Sequence, residues 1–208
     1  MIKVTKLPLG QIGEAARLLA RAFSVDPILT FFLSDPVRRK VAFPAFFRAL
    51  IYETWECGHV YGAMLDERLA GVSVWVPPEP APPSRPFRRR ADRNHLLVKA
   101  CFPRRAAALY RGFEATRTLH PHDPHWYLFF IGVAPSVQSR GLGRKLMAPV
   151  LEIADRDATL CYLETPFPVT HEFYRRQGFD LGPGTNPFEG APTLWTMVRI
   201  SKSTRNTP

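Results

Sequence analysis

Ile131-Gly-Val-Ala-Pro-Ser-Val-Gln-Ser-Arg-Gly-Leu-Gly-Arg144 is the stretch whose reading decides the fold. Residues 126–130 before it are aromatic and apolar, the composition of a strand. After it, Leu142, Leu146, Val150 and Ile153 recur at spacings of four, four and three, which is one face of a helix. The stretch is therefore a strand, a short loop and a helix start. The loop carries Gln138, Ser139, Arg140, Gly141, Gly143 and Arg144.

A loop of this kind suits an anion. The first backbone N–H groups of a helix have no internal partners, and the helix dipole adds partial positive charge there. Gly141 and Gly143 let the backbone approach closely because no Cβ intervenes. Arg140 and Arg144 add guanidinium groups that can meet phosphate in paired hydrogen bonds. An ordinary glycine turn capping a helix is the alternative. The order Gln-x-x-Gly-x-Gly directly after a strand favours a pyrophosphate site. Gly-x-Gly-x-x-Gly is absent and no Gly-Lys-Ser/Thr follows, so dinucleotide-binding and Walker loops fit poorly.

Val133-Ala-Pro135 with Gln138-Ser-Arg-Gly141-Leu-Gly143 resembles the acyl-CoA signature of the GNAT superfamily of acetyl-CoA-dependent N-acetyltransferases. Tyr174-Arg-Arg-Gln-Gly178-Phe179 resembles a second feature of that family, Tyr-x-x-x-Gly-Phe. A closer resemblance, to puromycin N-acetyltransferase and its bacterial relatives, runs almost the length of the chain. It is carried by Ala22-Phe23-Ser-Val-Asp-Pro27, Val74-Trp75-Val-Pro-Pro-Glu79, His125-Trp126-Tyr-Leu, Pro149 and Leu163-Glu164-Thr165. Two departures are Thr170, where that branch often has asparagine, and a segment 77–93 unusually rich in proline and arginine.

The resemblance implies an α/β (α+β) GNAT fold. Its central sheet would be mixed and mostly antiparallel, with six to seven strands flanked by helices. The strands around Val133 and Leu163 would splay to admit the thioester of acetyl-CoA. It further implies that Ile131 and Val133 meet the pantetheine in strand fashion, and that residues 138–144, Leu142 included, hold the diphosphate. Val133 N–H would stabilise the developing oxyanion, a donor type that often dominates catalysis. Tyr174 matches the family's general acid: a phenol is mostly protonated at neutral pH and can give its proton to a thiolate. Glu164, at a strand end, is the best base for the incoming ammonium, with Glu172 and His171 behind it. Asp26, Phe32, Trp75, Tyr127 and His171 are the candidates for the acceptor side.

The whole chain sets the frame. Its 208 residues favour one domain, over 1–200, ending in a polar, frayed tail at 201–208. The formal net charge of +10 attracts anionic ligands, a coenzyme among them. Cys57, Cys101 and Cys161 are far apart with no Cys-x-x-Cys, which argues against a disulfide framework and for a reducing, cytoplasmic setting. No apolar run reaches the roughly 18 residues of a membrane span, and no signal peptide is expected.

In order along the chain, residues 2–6 alternate as a strand, and 11–23 carry a helical face before Asp26-Pro27. The aromatic run 28–34 reads mostly as core, with one or two pocket positions. Asp35-Pro36 starts a helix to about 57, with Pro44 inside it. Residues 59–64 and 68–76 form a hairpin. The segment 77–93 reads as an internal loop, with helical stretches near 88–100 and 103–119. Its arginines suit a solvated surface better than nucleic acid. His120-Pro-His-Asp-Pro-His125 could hold a metal but reads better as a loop into the next strand, so no metal is expected. His125 and Tyr127 remain candidates to face the acceptor. A short helix at 169–177 and strands at 178–181 and 194–200 complete the chain.

The expected activity is transfer of an acetyl group from acetyl-CoA to a primary amine of a small molecule, by a monomer or homodimer. A protein or peptide acetyltransferase, or a non-catalytic GNAT-fold binder of acyl-CoA or nucleic acid, are the alternatives.

Overall fold

The strand and helix around residues 131–144 are β4 (His125–Val133) and α6 (Leu142–Arg156) in a computed structural model that describes residues 1–186 and 189–205. Before them come β1 (Ile2–Lys6), α1 (Ile12–Ala22), α2 (Pro27–Phe32), α3 (Pro36–Thr54), β2 (Val60–Leu65), β3 (Arg68–Val76), α4 (Arg85–Cys101) and α5 (Arg105–Thr116). After them come β5 (Leu160–Thr165), α7 (His171–Arg175), β6 (Asp180–Thr185), β7 (Leu194–Arg199) and α8 (Lys202–Arg205).

Among the described residues, seven strands form one sheet in the order β1-β2-β3-β4-β5-β7-β6. Its neighbours pair antiparallel except β4 and β5, which run parallel with α6 as their crossover. This is the α/β GNAT fold expected from the sequence. The sheet has a core on each face. Val72, Val74 and Phe130 pack with Leu19 of α1 and Phe46 and Phe47 of α3. Trp75, Leu128 and Leu163 pack with Leu146, Met147 and Val150 of α6 on the other face.

Local chemistry explains the helix starts. Asp35 Oδ1 accepts from Val37 N at 2.8 Å and Arg38 N at 3.1 Å, and Pro36 needs no partner at the first position. Asp26 does the same for α2, accepting from Leu29 N at 2.8 Å. The aromatic run after Asp26 is thus a capped helical turn. Pro149 is accommodated inside α6, and the buried Ser73 hydroxyl of β3 donates to Leu146 O at 3.1 Å nearby.

Two expectations need correction. The proposed loop 77–93 ends early, because α4 begins at Arg85 with Pro86 in its first turn, where a missing N–H is harmless. Trp55 stacks on Phe87 with ring centroids 5.4 Å apart, which fastens that start. The tail from 201 is not frayed throughout. Lys202 N donates to Asp155 Oδ1 at 2.8 Å and Ser203 Oγ to Asp155 O at 2.7 Å, docking α8 on α6. Residues 206–208 lie outside the described residues. Among the described residues no helix is long and apolar enough to cross a membrane.

Candidate active site

The parallel ladder of β4 and β5 stops early. It runs from His125 opposite Leu160 to Leu128 opposite Leu163, yet β4 continues to Val133 and β5 to Thr165. The strands therefore part beyond Leu128. Ala134 N donates to Ala70 O at 2.8 Å, toward β3. Backbone polar groups alternate along a strand, so Gly132 also faces β3 while Ile131 and Val133 present theirs to the open edge. Gln138 Nε2 reaches Val133 O from that side at 3.3 Å.

A β-bulge shapes the same strand. Val74 faces Phe130 and Trp75 faces Leu128, so Phe129 has no partner on β3. The extra residue brings Phe129 and Phe130 to one face, with ring centroids 4.4 Å apart. Trp75, alternating with Val74 along β3, falls on the α6 side with Ser73. The Trp75 side chain is fully buried in the α6 core and does not line the cleft, contrary to its candidacy for the acceptor.

At the head of α6, Gly141 has φ +79°, and a Cβ there would meet nothing within 4 Å. The space beside it is open. Gly143 has a different reason. A Cβ there would lie 3.0 Å from Phe173 Cζ, so this glycine lets α7 pack against α6. Gln138, Ser139, Arg140 and Arg144 are exposed around the loop, as is Lys145, while the Leu142 side chain is core.

A cleft of about 360 Å³ opens between the parted strands and the helices above them. Phe23, Phe32, Leu109, Phe113, Phe129 and Phe130 make its apolar wall. Leu109 and Phe113 come from α5, which the Arg105 guanidinium ties to Phe31 O of α2 at 3.2 Å. Glu164 enters from the end of β5 with only 7% of its side chain exposed. Tyr127 donates to its Oε2 at 2.7 Å and Tyr162 to its Oε1 at 3.0 Å. Burial pushes the carboxyl up to about 7, although both hydroxyls pull the other way. His120 Nε2 stands 3.6 Å from Oε1. That approach is not an ion pair, because burial, followed by His125 and Arg117, holds His120 down at about 4.

Tyr174, from α7, lines the cleft with the ring packed among Phe173 and Phe179. Burial raises its pKa, so the phenol stays protonated. Asp26, Phe32 and Tyr127 line the cleft as their candidacy required. Asp26 also caps α2, and burial lifts it to about 6 against the Leu29 and Ile28 N–H groups. His171 is displaced. Its ring packs on Trp195 at 5.3 Å and lies outside the cleft lining. Glu172 is exposed and paired with Arg176 at 3.0 Å. Sequence reasoning missed Leu109 and Phe113 of α5, whose place at the cleft no local pattern marks. It also missed Tyr162, although spacing i, i+2 on a strand puts it on the face of Glu164.

Comparison with known proteins bears on the fold and the family. The model of the Acetyltransferase (GNAT) family matches residues 33–179. The uncharacterized N-acetyltransferase C550.08 of Schizosaccharomyces pombe is 36% identical over 62 residues, 29% of this chain and 25% of that protein, so the match spans about a quarter of the relative. Among solved structures, a Corynebacterium glutamicum protein described as histone acetyltransferase HPA2 and related acetyltransferase superposes with TM-score 0.69 at 20% identity, over 96% of each chain. Arylalkylamine N-acetyltransferase 2 of Aedes aegypti does so with TM-score 0.59 at 13% identity, over 96% of this chain and 98% of that one. These two likenesses are of fold. The fold is the α/β architecture of acetyltransferases. The chain belongs to the GNAT family.

Proposed function

We propose that the protein transfers the acetyl group of acetyl-CoA to the primary amine of a small molecule with an apolar body, in a ternary complex, within the puromycin N-acetyltransferase-like branch. The observation that carries this reading is Glu164, a buried carboxyl at about 7 held by two tyrosines in an otherwise apolar cleft, beside the open edge of β4. A carboxylate poised near neutrality suits proton removal from an ammonium. The aromatic wall suits an apolar body more than an extended peptide.

The open edge at Ile131 and Val133 fits a pantetheine lying as a further strand. The clear space at Gly141, under Arg140 and Arg144, fits a diphosphate at the head of α6. Glu164 takes one proton from the acceptor ammonium. The freed amine attacks the thioester carbon, the C–N bond forms, and Val133 N–H faces the oxygen as charge develops there. The C–S bond then breaks and Tyr174 gives its proton to the departing sulfur. The amide nitrogen's second proton restores the phenol. One proton is left over in each turnover.

Thiol release from acetyl-CoA, measured against aromatic amines, polyamines, amino acids and basic peptides, tests the reading. Turnover confined to compact apolar amines is expected. Preference for peptides would overturn the acceptor class, and failure to bind acetyl-CoA would overturn the cradle.

A further inference from the structure

The leftover proton needs an exit, because Glu164 is almost fully enclosed. The segment from His120 to His125, which the chemistry above does not use, stands directly behind it. His125 Nδ1 lies 2.8 Å from Asp123 O. A carbonyl oxygen only accepts, so Nδ1 carries the hydrogen and Nε2 is left bare. His120 Nδ1, 3.0 Å from that bare nitrogen, must then donate to it. This leaves His120 Nε2 bare as well, and this is the atom 3.6 Å from Glu164 Oε1.

The His120 ring is held between Tyr127 and Tyr162, each with ring centroid 4.6 Å away. These are the two tyrosines that grip Glu164. Arg117, on the turn before His120, is the nearest cation to act on it, and His125 faces it from β4. Neither histidine lines the cleft, and both are half-buried. The groups run in line from the cleft to the protein surface: carboxyl, imidazole, imidazole, backbone carbonyl.

We propose that His120 and His125 form a proton relay that carries the acceptor's proton from Glu164 to solvent. The relay rests on the reading of Glu164 as the base. Protonated Glu164 gives its O–H proton to His120 Nε2 through one bridging water across the 3.6 Å gap, and His120 Nδ1–H passes its own to His125 Nε2. The resulting His125 imidazolium releases one proton to water, and exchange with water restores the starting tautomers. Glu164 is again a carboxylate, and no charge is left behind. The low pKa of His120 keeps it neutral at rest, with Nε2 ready to accept, and makes it a carrier only in passing. Both histidines position and drain the base and do not touch the substrate.

The test uses the full chain with His120→Gln, His125→Gln and Glu164→Gln. Ring nitrogen NMR needs no acceptor. It should show hydrogen on Nδ1 of both rings, and the His120 ring neutral at neutral pH. Hydrogen on Nε2, or an imidazolium at His120, would overturn the relay. Turnover is then followed by thiol release with phenethylamine as probe. Each histidine variant should lose about tenfold or more in kcat with KM for acetyl-CoA unchanged. Added free imidazole should restore kcat in the variants and leave the wild type unaffected. Wild-type kcat in both variants, or a loss that imidazole cannot restore, overturns the relay. Wild-type rates in Glu164→Gln would mean that the base reading itself has failed. A slow Glu164→Gln beside a fast His120→Gln removes the relay alone.

Discussion

Replacing Glu164 by glutamine should stabilise the protein while removing its turnover. The side chain is 7% exposed, and burial lifts its pKa from 4.5 to about 7. A carboxyl whose pKa is higher folded than unfolded prefers to be protonated in the fold. Its contribution to stability is complete below pH 4.5 and is lost as pH rises through about 7. The gap corresponds to about 3 kcal/mol lost by roughly pH 8. Glutamine has the same shape and no charge to desolvate. Its oxygen can still accept from one tyrosine. In a chain of this size about 3 kcal/mol raises Tm by roughly 6–12 °C, an upper bound since one tyrosine bond changes character. Thermal and urea unfolding of both proteins should be compared at about pH 5 and about pH 8, on either side of the folded pKa. The advantage of the variant should be small at the lower pH and grow to most of the full value at the higher. A gap that does not widen with pH would show that Glu164 is not a strained, buried carboxylate, and the argument for it as a base would lose its footing. The assay needs no acceptor, so it is independent of the substrate question.

Tyr127→Phe removes the 2.7 Å bond that favours the ionised form of Glu164. The acidic limb of the pH–rate profile should move up by about one pH unit, with activity lost near neutrality and regained at higher pH. An unmoved limb would separate Tyr127 from the titrating base. Tyr174→Phe should keep acetyl-CoA affinity, measured by calorimetry, and lower kcat by about 10- to 100-fold; an unchanged rate would remove the general-acid role. Gly141→Glu places bulk and negative charge in the open space at the head of α6 and a side chain at φ +79°. Acetyl-CoA binding should disappear in a variant that circular dichroism shows to be folded, and retained affinity would refute the cradle.

Local signals were strong where backbone geometry is set by neighbours in the chain. Asp35-Pro36 reads as a helix cap because an aspartate oxygen and the N–H groups two or three residues on are within reach in any context, whereas Asp26-Pro27 reads in the sequence only as the stop after α1 and caps α2 in the fold. The strand, loop and helix at 126–153 follow from residue spacing alone. Gly141 was legible because a helix entry at positive φ excludes most other residues. Glu164 and Tyr174 were found by resemblance of their motifs, and both do line one cleft.

Errors arose wherever contacts distant in sequence take over. Trp75 sits on a strand whose two faces are both buried, so alternation could not say which face meets the cleft; the packing of α6 on the face of Trp75 did. Gly143 looked like a second phosphate glycine, but Phe173, thirty residues on, is what it makes room for. The sequence by itself determined the order of elements, the glycine-containing loop at 138–144 and the residue types that could carry acetyl transfer, since these rest on short-range geometry and chemistry. Only the tertiary structure decided where β4 leaves β5, that α5 closes the cleft, and that Glu164 is lifted to about 7 beneath two tyrosines and a histidine. A ladder's end, a cavity and a desolvation energy all depend on atoms brought together by the whole fold, and no local stretch encodes them.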